Sequence, residues 1–285
     1  MRLFLLAALA LTGCATTYNA TWREPITVAA LSEPGRAADA EGDVLWKDRG
    51  NKTSLTSAID KWESAGSTDP VVLAKVARAR ALLADVFDLE GDLDRRDSQT
   101  RLGLDVATQA VKGAAPEFAS ALAEGRTMRL TADMIPSEAV PAVYWFAVHL
   151  ERWASAQGVG TRLRYREDVQ ALMERVEALD EAYFYGGPLR HRGMLEALTE
   201  GRGGGTWAAS EAAFQKAVTL GPAFLGNKVE WAATLCVQRE DRDCFSRLLN
   251  EVIAADAAAT PALAAENAIE QAKARKLLSR AESLF

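Results

Sequence analysis

Apolar residues along this chain recur three and four positions apart far more often than they alternate. Val72, Val76, Ala79, Leu83 and Val86 fall on one helical face, as do Val169, Leu172, Met173, Val176 and Leu179, and again Phe245, Leu248, Leu249, Val252 and Ile253. Alternating runs that would make strands are nearly absent, the best being ITVAAL at residues 26–31. The pattern predicts an all-α protein of short helices. Their breaks are expected at Asp69-Pro70, Gly91-Asp92, Ala115-Pro116, Ile135-Pro136, Gly158, Gly186-Gly187-Pro188, the glycines at 203–205 and Gly221-Pro222.

Compared with itself, the chain shows one good internal match. Ala58, Trp62, Ala65 and Pro70 repeat with the same spacing as Ser210, Phe214, Ala217 and Pro222. This is the spacing of the second helix of a tetratricopeptide hairpin, where a small residue, an aromatic and an alanine pack on the neighbouring helix and proline ends it. No full period runs through residues 90–200. The expectation is therefore helical hairpins with cryptic tetratricopeptide-like repeats, closed into one compact body over residues 43–285, with a concave face suited to binding.

The first residues read differently. Arg2 precedes an apolar run at residues 3–11, about half the length of a membrane span, and the run ends in Leu-Thr-Gly-Cys. That ending resembles a bacterial lipobox. It implies a signal peptide at residues 1–13, lipidation of Cys14, and an anchor in the envelope, with the outer membrane facing the periplasm as the expected place. Residues 14–42 mix Thr, Pro, Gly and single charges without periodicity and are read as a flexible tether.

Charge excludes some partners. The chain carries 33 Lys and Arg against 39 Asp and Glu, for a net charge of -6, with no basic cluster, so nucleic acid is not an expected partner. The acidic balance also hints at a ligand that is not strongly anionic. Of the three cysteines, Cys236 and Cys244 remain once Cys14 is set aside. On one straight helix they would stand about 12 Å apart, too far to bond. The polar VQREDRD between them reads as a turn, which leaves two possibilities, a bridge across the bend or two buried free thiols.

Candidate chemistry is sparse. GRGGGT at residues 201–206 lacks the lysine of a phosphate-binding loop and the preceding strand. The two histidines, His149 and His191, have no ligand spacing, so neither a metal nor another cofactor is expected. No nucleophile context or Cys/His pair appears, and an enzyme is not expected. Asn19 and Asn51 each open an Asn-x-Thr triplet, read as chance. Two aromatic stretches stand out: Tyr144, Trp145, His149 and Trp153 in VYWFAVHLERW, and Tyr183, Phe184 and Tyr185 ahead of a Gly-Gly-Pro bend, with Arg190 and Arg192 just beyond. These aromatics either fill the core or line a pocket, and His149 either sits in the core or lines the groove.

The order AVPAVYWFAVHLERWA, LMERVEALDEAYFYGGPLRHRG, AAFQKAVTLGPAFLGNKVEWA and ENAIEQAKARKLLSRAESLF resembles the T component of tripartite ATP-independent periplasmic (TRAP) transporters. His191 and Ala182 depart from that pattern. The resemblance implies a lipoprotein with an all-α fold, a homotrimer with pores through its subunits, and a solute-binding P component as partner. It also implies a small hydrophobic ligand, for which Tyr144, Trp145, His149, Trp153, Tyr183, Phe184, Tyr185 and Arg190 are the lining candidates. The competing expectation is a non-catalytic helical-repeat scaffold for envelope protein assembly.

Overall fold

Side-chain caps and prolines set where the first helices of this protein begin. A computed structural model describes residues 17–18, 22–24, 26–201 and 204–285. In it Ser32 caps α1 (Glu33–Trp46) by accepting from the Gly35 amide, and Asn51 caps α2 (Lys52–Ser64) by accepting from the Thr53 amide at 2.8 Å. Asp69 accepts from the Val71 amide to start α3 (Pro70–Glu90), whose first residue, proline, loses no hydrogen bond there. Gly91, at φ 79°, ends α3 in the left-handed conformation that a Cβ would resist, and Asp92 caps α4 (Leu93–Ala114).

Among the remaining helices of the described residues four carry a first-turn proline or a side-chain cap and six begin with neither. In chain order the remaining helices are α5 (Pro116–Ala123), α6 (Met128–Thr131), α7 (Val140–Ala156), α8 (Val159–Leu179), α9 (Tyr183–Thr199), α10 (Trp207–Leu220), α11 (Gly226–Trp231), α12 (Arg242–Ala254), α13 (Ala264–Leu278) and α14 (Ala281–Leu284). A single π-helical turn, Ala232–Cys236, extends α11. Every expected break within the described residues falls at a helix end or, for Gly186, at a kink within α9, and Gly203 lies outside them. The described residues contain no strand, and the protein is all-α.

Neighbouring helices pair as hairpins, α1 with α2, α3 with α4, α7 with α8 and α9 with α10. The largest apolar core lies between α4, α5, α7 and α8, where Phe118, Phe146, Leu150 and Leu172 are fully buried. Each such side chain contributes roughly 1.5–3 kcal/mol by leaving water. Both internally matched windows are buried in hairpins. Trp62 packs so closely on α1 that a Cβ on Gly42 would come within 2.5 Å of its ring, and Phe214 packs on α9 so that a Cβ on Gly193 would come within 2.7 Å.

Contacts then close a circuit: α3 meets α7, α7 meets α9, α9 meets α11, α11 meets α13, and α13 returns to α3. This ring encloses the candidate site.

Two regions depart from expectation or resolve an open one. Residues 1–13 and Cys14 lie outside the described residues, as does Asn19. The reading of a flexible tether as far as residue 42 is corrected by Tyr18, Trp22 and α1. The Tyr18 ring is buried against Trp153 with 5.6 Å between centroids, and its hydroxyl meets Asp105 and Thr108 at 2.9 Å each. Trp22 packs edge-on against Phe118 and Phe146, and α1 is helical from Glu33. Aromatic rings in a polar context found a core that composition alone does not reveal. At the other end, a disulfide joins Cys236 to Cys244, whose Cα atoms are 5.7 Å apart across the turn before α12.

Candidate functional site

Inside the helical circuit lies a cavity of about 750 Å³. Its lining includes exposed Leu163 and Leu198 and half-exposed Asp97, so it reaches the surface where α3, α7 and α9 end and α4 and α8 begin. Its deep end is aromatic. Trp145 and Phe184 meet edge-to-face with centroids 4.8 Å apart, Tyr144 stands edge-on to Trp145 at 5.1 Å, and Phe224 closes on Phe184 at 5.4 Å. Such pairs add about 0.5–1.5 kcal/mol each beyond their burial.

The backbone that presents Phe184 is unusual. Phe184, Tyr185 and Gly186 all have left-handed dihedrals, with φ of 46°, 59° and 76°. For the two aromatic residues this conformation costs about 1–3 kcal/mol apiece, so the surroundings must impose it. Asn227, fully buried on α11, does so: its Nδ2 donates to the Tyr185 and Ala217 carbonyls at 3.0 Å and reaches that of Gly221 at 3.3 Å. Gly187 and Gly221 let the bend pack without gaps, since a Cβ at either would come within 2.5 Å of Tyr144 or of the Tyr185 carbonyl.

The sides of the cavity are charged. Seven carboxylates and seven Lys or Arg side chains line it, so the walls carry little net charge. Asp85 lies 3.1 Å from Arg152 and 3.3 Å from Lys273, and Lys273 meets Glu270 at 2.8 Å. Burial opposes the charge on Asp85, but Arg152 and Lys273 outweigh it and hold its carboxyl below the usual range. For Lys273 the same burial is outweighed by Asp85 and Glu270, and its ammonium is held above the usual range. Glu266 binds Arg49 and Arg78, each at 2.8 Å.

Besides the exposed Arg162 and Arg166, two charged groups on this wall lack such partners. Arg190 donates from Nη1 to Asn227 Oδ1 at 2.7 Å and from Nη2 to the Tyr144 hydroxyl at 2.9 Å, and its guanidinium lies 5.0 Å from the Phe224 centroid. Among the described residues no carboxylate comes within 4.0 Å of it. Glu230, one turn beyond Asn227, has no side-chain hydrogen bond or ion pair among the described residues. Burial raises its pKa, with Lys273 offsetting part of the effect.

Of the eight lining candidates, Tyr144, Trp145, Phe184 and Arg190 line the cavity. Tyr183 instead packs on the Tyr144 ring, and burial raises its hydroxyl to about 12. Tyr185 stacks on Phe224 at 5.8 Å from outside the lining. Trp153 packs between Tyr18 and Tyr165. Four-residue steps advance about 40° around a helix, so Trp145, His149 and Trp153 drift from the cavity into the core.

His149 is fully buried against α4. A Cβ on Gly103 would come within 2.1 Å of its ring, and its Nε2 donates to the Ala77 carbonyl at 2.9 Å. Burial lowers its pKa to about 4. Arg192 turns to Glu177 at 2.7 Å, whereas His191 does line the cavity, 3.6 Å from Glu151. The charged wall of Asp85, Arg152, Glu230, Glu270 and Lys273 leaves no local signal in the sequence.

The profile of the TRAP transporter T-component family matches residues 90–285. The chain belongs to the TRAP transporter T-component family. The matched stretch contains α4 to α14 and with them most of the cavity wall, although Arg78, Asp85 and the rest of the α3 contribution precede it. No curated protein matches the chain. This T-component family is transport-associated and is not a known enzyme family. Among the described residues there is no cluster of metal-ligating side chains and no helix long and apolar enough to cross a membrane.

Proposed function

We propose that this T-component family member is the ligand-holding lipoprotein of a TRAP-type transport system. Lipidation at Cys14 fixes it in the envelope, with the outer membrane facing the periplasm as its place. The helical circuit holds a small molecule with an apolar portion, and its outer face docks the solute-binding P component. The functional unit is a homotrimer, and it acts by binding rather than by chemical conversion.

The single observation that carries this reading is the cavity, about 750 Å³ within a closed ring of five helices. That volume is of the size that takes small molecules, and its aromatic end joined to a few placed polar groups is the usual composition of such a site. A scaffold acting through its outer surface alone has no use for such an interior. Isolating charges there is costly unless they are paired, so a partly paired wall argues for a job inside the ring.

Native mass spectrometry of the detergent-extracted full-length protein tests the reading. The expected result is a retained small molecule, lost on Trp145→Ala together with Phe184→Ala while circular dichroism stays helical, and co-purification of a P component. A protein that carries no small molecule and captures no solute-binding protein would favour the scaffold.

A further inference from the structure

We propose that the cavity selects a small zwitterion, taking a carboxylate at Arg190, an ammonium at Glu230 and an apolar side chain among Trp145, Phe184 and Phe224. This inference rests on the ligand-holding reading above and gives it a chemical class.

The cavity sorts its charges into two kinds. Asp85, Arg152, Glu270 and Lys273 pair with one another in a chain of contacts between 2.8 and 3.3 Å, so each already has an opposite charge beside it, although Glu270 Oε2 accepts no hydrogen bond among the described residues. Arg162 and Arg166, also unpaired among the described residues, are exposed to solvent, and away from them Arg190 and Glu230 are left over. Arg190 spends two of its five N–H donors, and both go to neutral oxygens, Asn227 Oδ1 and the Tyr144 hydroxyl. Those two bonds fix the plane of the guanidinium while leaving its remaining donors for an acceptor of the opposite charge, and a carboxylate matches that fork in shape. Glu230 presents a carboxylate to the cavity with no donor on it among the described residues, in a setting where burial disfavours leaving it bare.

Position joins the two groups. Asn227, which holds Arg190, and Glu230 are three residues apart on α11 and its start, which puts them on one helical face about 5–6 Å apart at Cβ. The Arg190 guanidinium, hydrogen-bonded to Asn227, is thus tied to the helical face that carries Glu230 without lying within 4.0 Å of its carboxylate. A molecule carrying one charge would satisfy one and leave the other exposed in a low-dielectric wall. A molecule with an ammonium and a carboxylate a bond or two apart satisfies both and adds no net charge to walls already balanced at seven of each sign. Phe224 lies beside Arg190 and contacts Phe184, so the apolar part of the same molecule meets the aromatic end of the cavity.

Isothermal titration of the full chain, stripped of bound molecules, compares four probes: L-phenylalanine, 3-phenylpropionate, 2-phenylethylamine and 1-octanol. L-phenylalanine is expected to bind at least about tenfold more tightly than either single-charge analogue, since each buried charged hydrogen bond is of that worth. Arg190→Gln and Glu230→Gln should each weaken L-phenylalanine by about tenfold or more. Glu230→Gln should leave 3-phenylpropionate unchanged or tighter, and Arg190→Gln should do the same for 2-phenylethylamine. These opposite responses separate a charge effect from loss of folding, which circular dichroism checks. Equal binding of L-phenylalanine and 3-phenylpropionate overturns the inference, as does indifference of L-phenylalanine to both substitutions. Binding of 1-octanol without L-phenylalanine overturns it and leaves the cavity a ligand site. Failure of all four probes, with nothing retained in the native mass spectrum, overturns the ligand-holding reading as well.

Discussion

The hairpins α1–α2 and α9–α10 are built with the same device and put to different uses. In each, a glycine on the first helix lies under an aromatic ring on the second, Gly42 under Trp62 and Gly193 under Phe214, so the helix axes approach closely where the ring is buried. The first hairpin has ordinary backbone and supplies nothing to the cavity lining. The second begins in a left-handed bend at Phe184 and Tyr185, is clamped by Asn227, and carries Phe184 and Arg190 into the cavity. The difference locates the specialised part of the molecule: strain is placed where side chains must be aimed, and the plain copy of the device serves packing alone.

Cutting the device out of each hairpin gives the largest expected effect. Trp62→Ala and Phe214→Ala should each cost about 3–5 kcal/mol in chemical denaturation, because both rings are almost wholly buried. Only Phe214→Ala should also alter ligand retention. Equal loss of ligand in both would mean that the two hairpins are not divided as described.

A third instance of a ring over a glycine, His149 on Gly103, sharpens the comparison because this ring titrates. Burial keeps it neutral in the folded protein down to about 4, whereas the unfolded chain takes up its proton near 6.5. Between those values the unfolded state binds more protons, so stability falls as pH drops from about 6.5 to about 4, by about 3 kcal/mol in total. Urea melts of the wild type and His149→Gln across that range should diverge by this amount; parallel curves would refute the assignment.

The cross-link lies near the second hairpin only. Replacing Cys236 and Cys244 by serine should cost about 2.5 kcal/mol for so short a loop, with no matching loss on reducing a protein that lacks the bridge. The smallest effect is a gain. Glu240 sits at φ 54° in the turn after Cys236, with no part in the cavity, and Glu240→Gly should raise stability by about 1 kcal/mol. Tyr185→Gly, at φ 59°, relieves similar strain but removes the ring stacked on Phe224, and should lower ligand affinity.

Helices, their ends and the glycine-proline breaks were legible because each depends on residues within a turn of one another. The aromatic end of the cavity was half legible: Tyr144, Trp145 and Phe184 stand in conspicuous clusters, but which of the neighbouring rings faces inward depends on a 40° drift per four residues and on a bend whose left-handed form falls on aromatic residues. The charged wall was not legible. Asp85, Arg152, Glu230 and Lys273 come from four helices, and each alone reads as an ordinary solvent-facing charge. Only the closure of the ring turns them inward.

Tyr18 has a further consequence for the lipid anchor proposed at Cys14, because it sets how near to a bilayer such an anchor would hold the body. A leash running freely from residue 14 to residue 42 would pay out to roughly 95 Å, long enough for the body to stand well clear of whatever surface held residue 14. With the Tyr18 amide held by the Tyr165 hydroxyl at 2.7 Å, only four residues separate Cys14 from the core, at most about 14 Å of slack. That is about a third of the width of a body of this size, roughly 45 Å. A lipid on Cys14 would therefore moor the protein flush against the headgroups, with the flank around Tyr165 and Asp105 turned toward them and the remaining surface left open to whatever diffuses past.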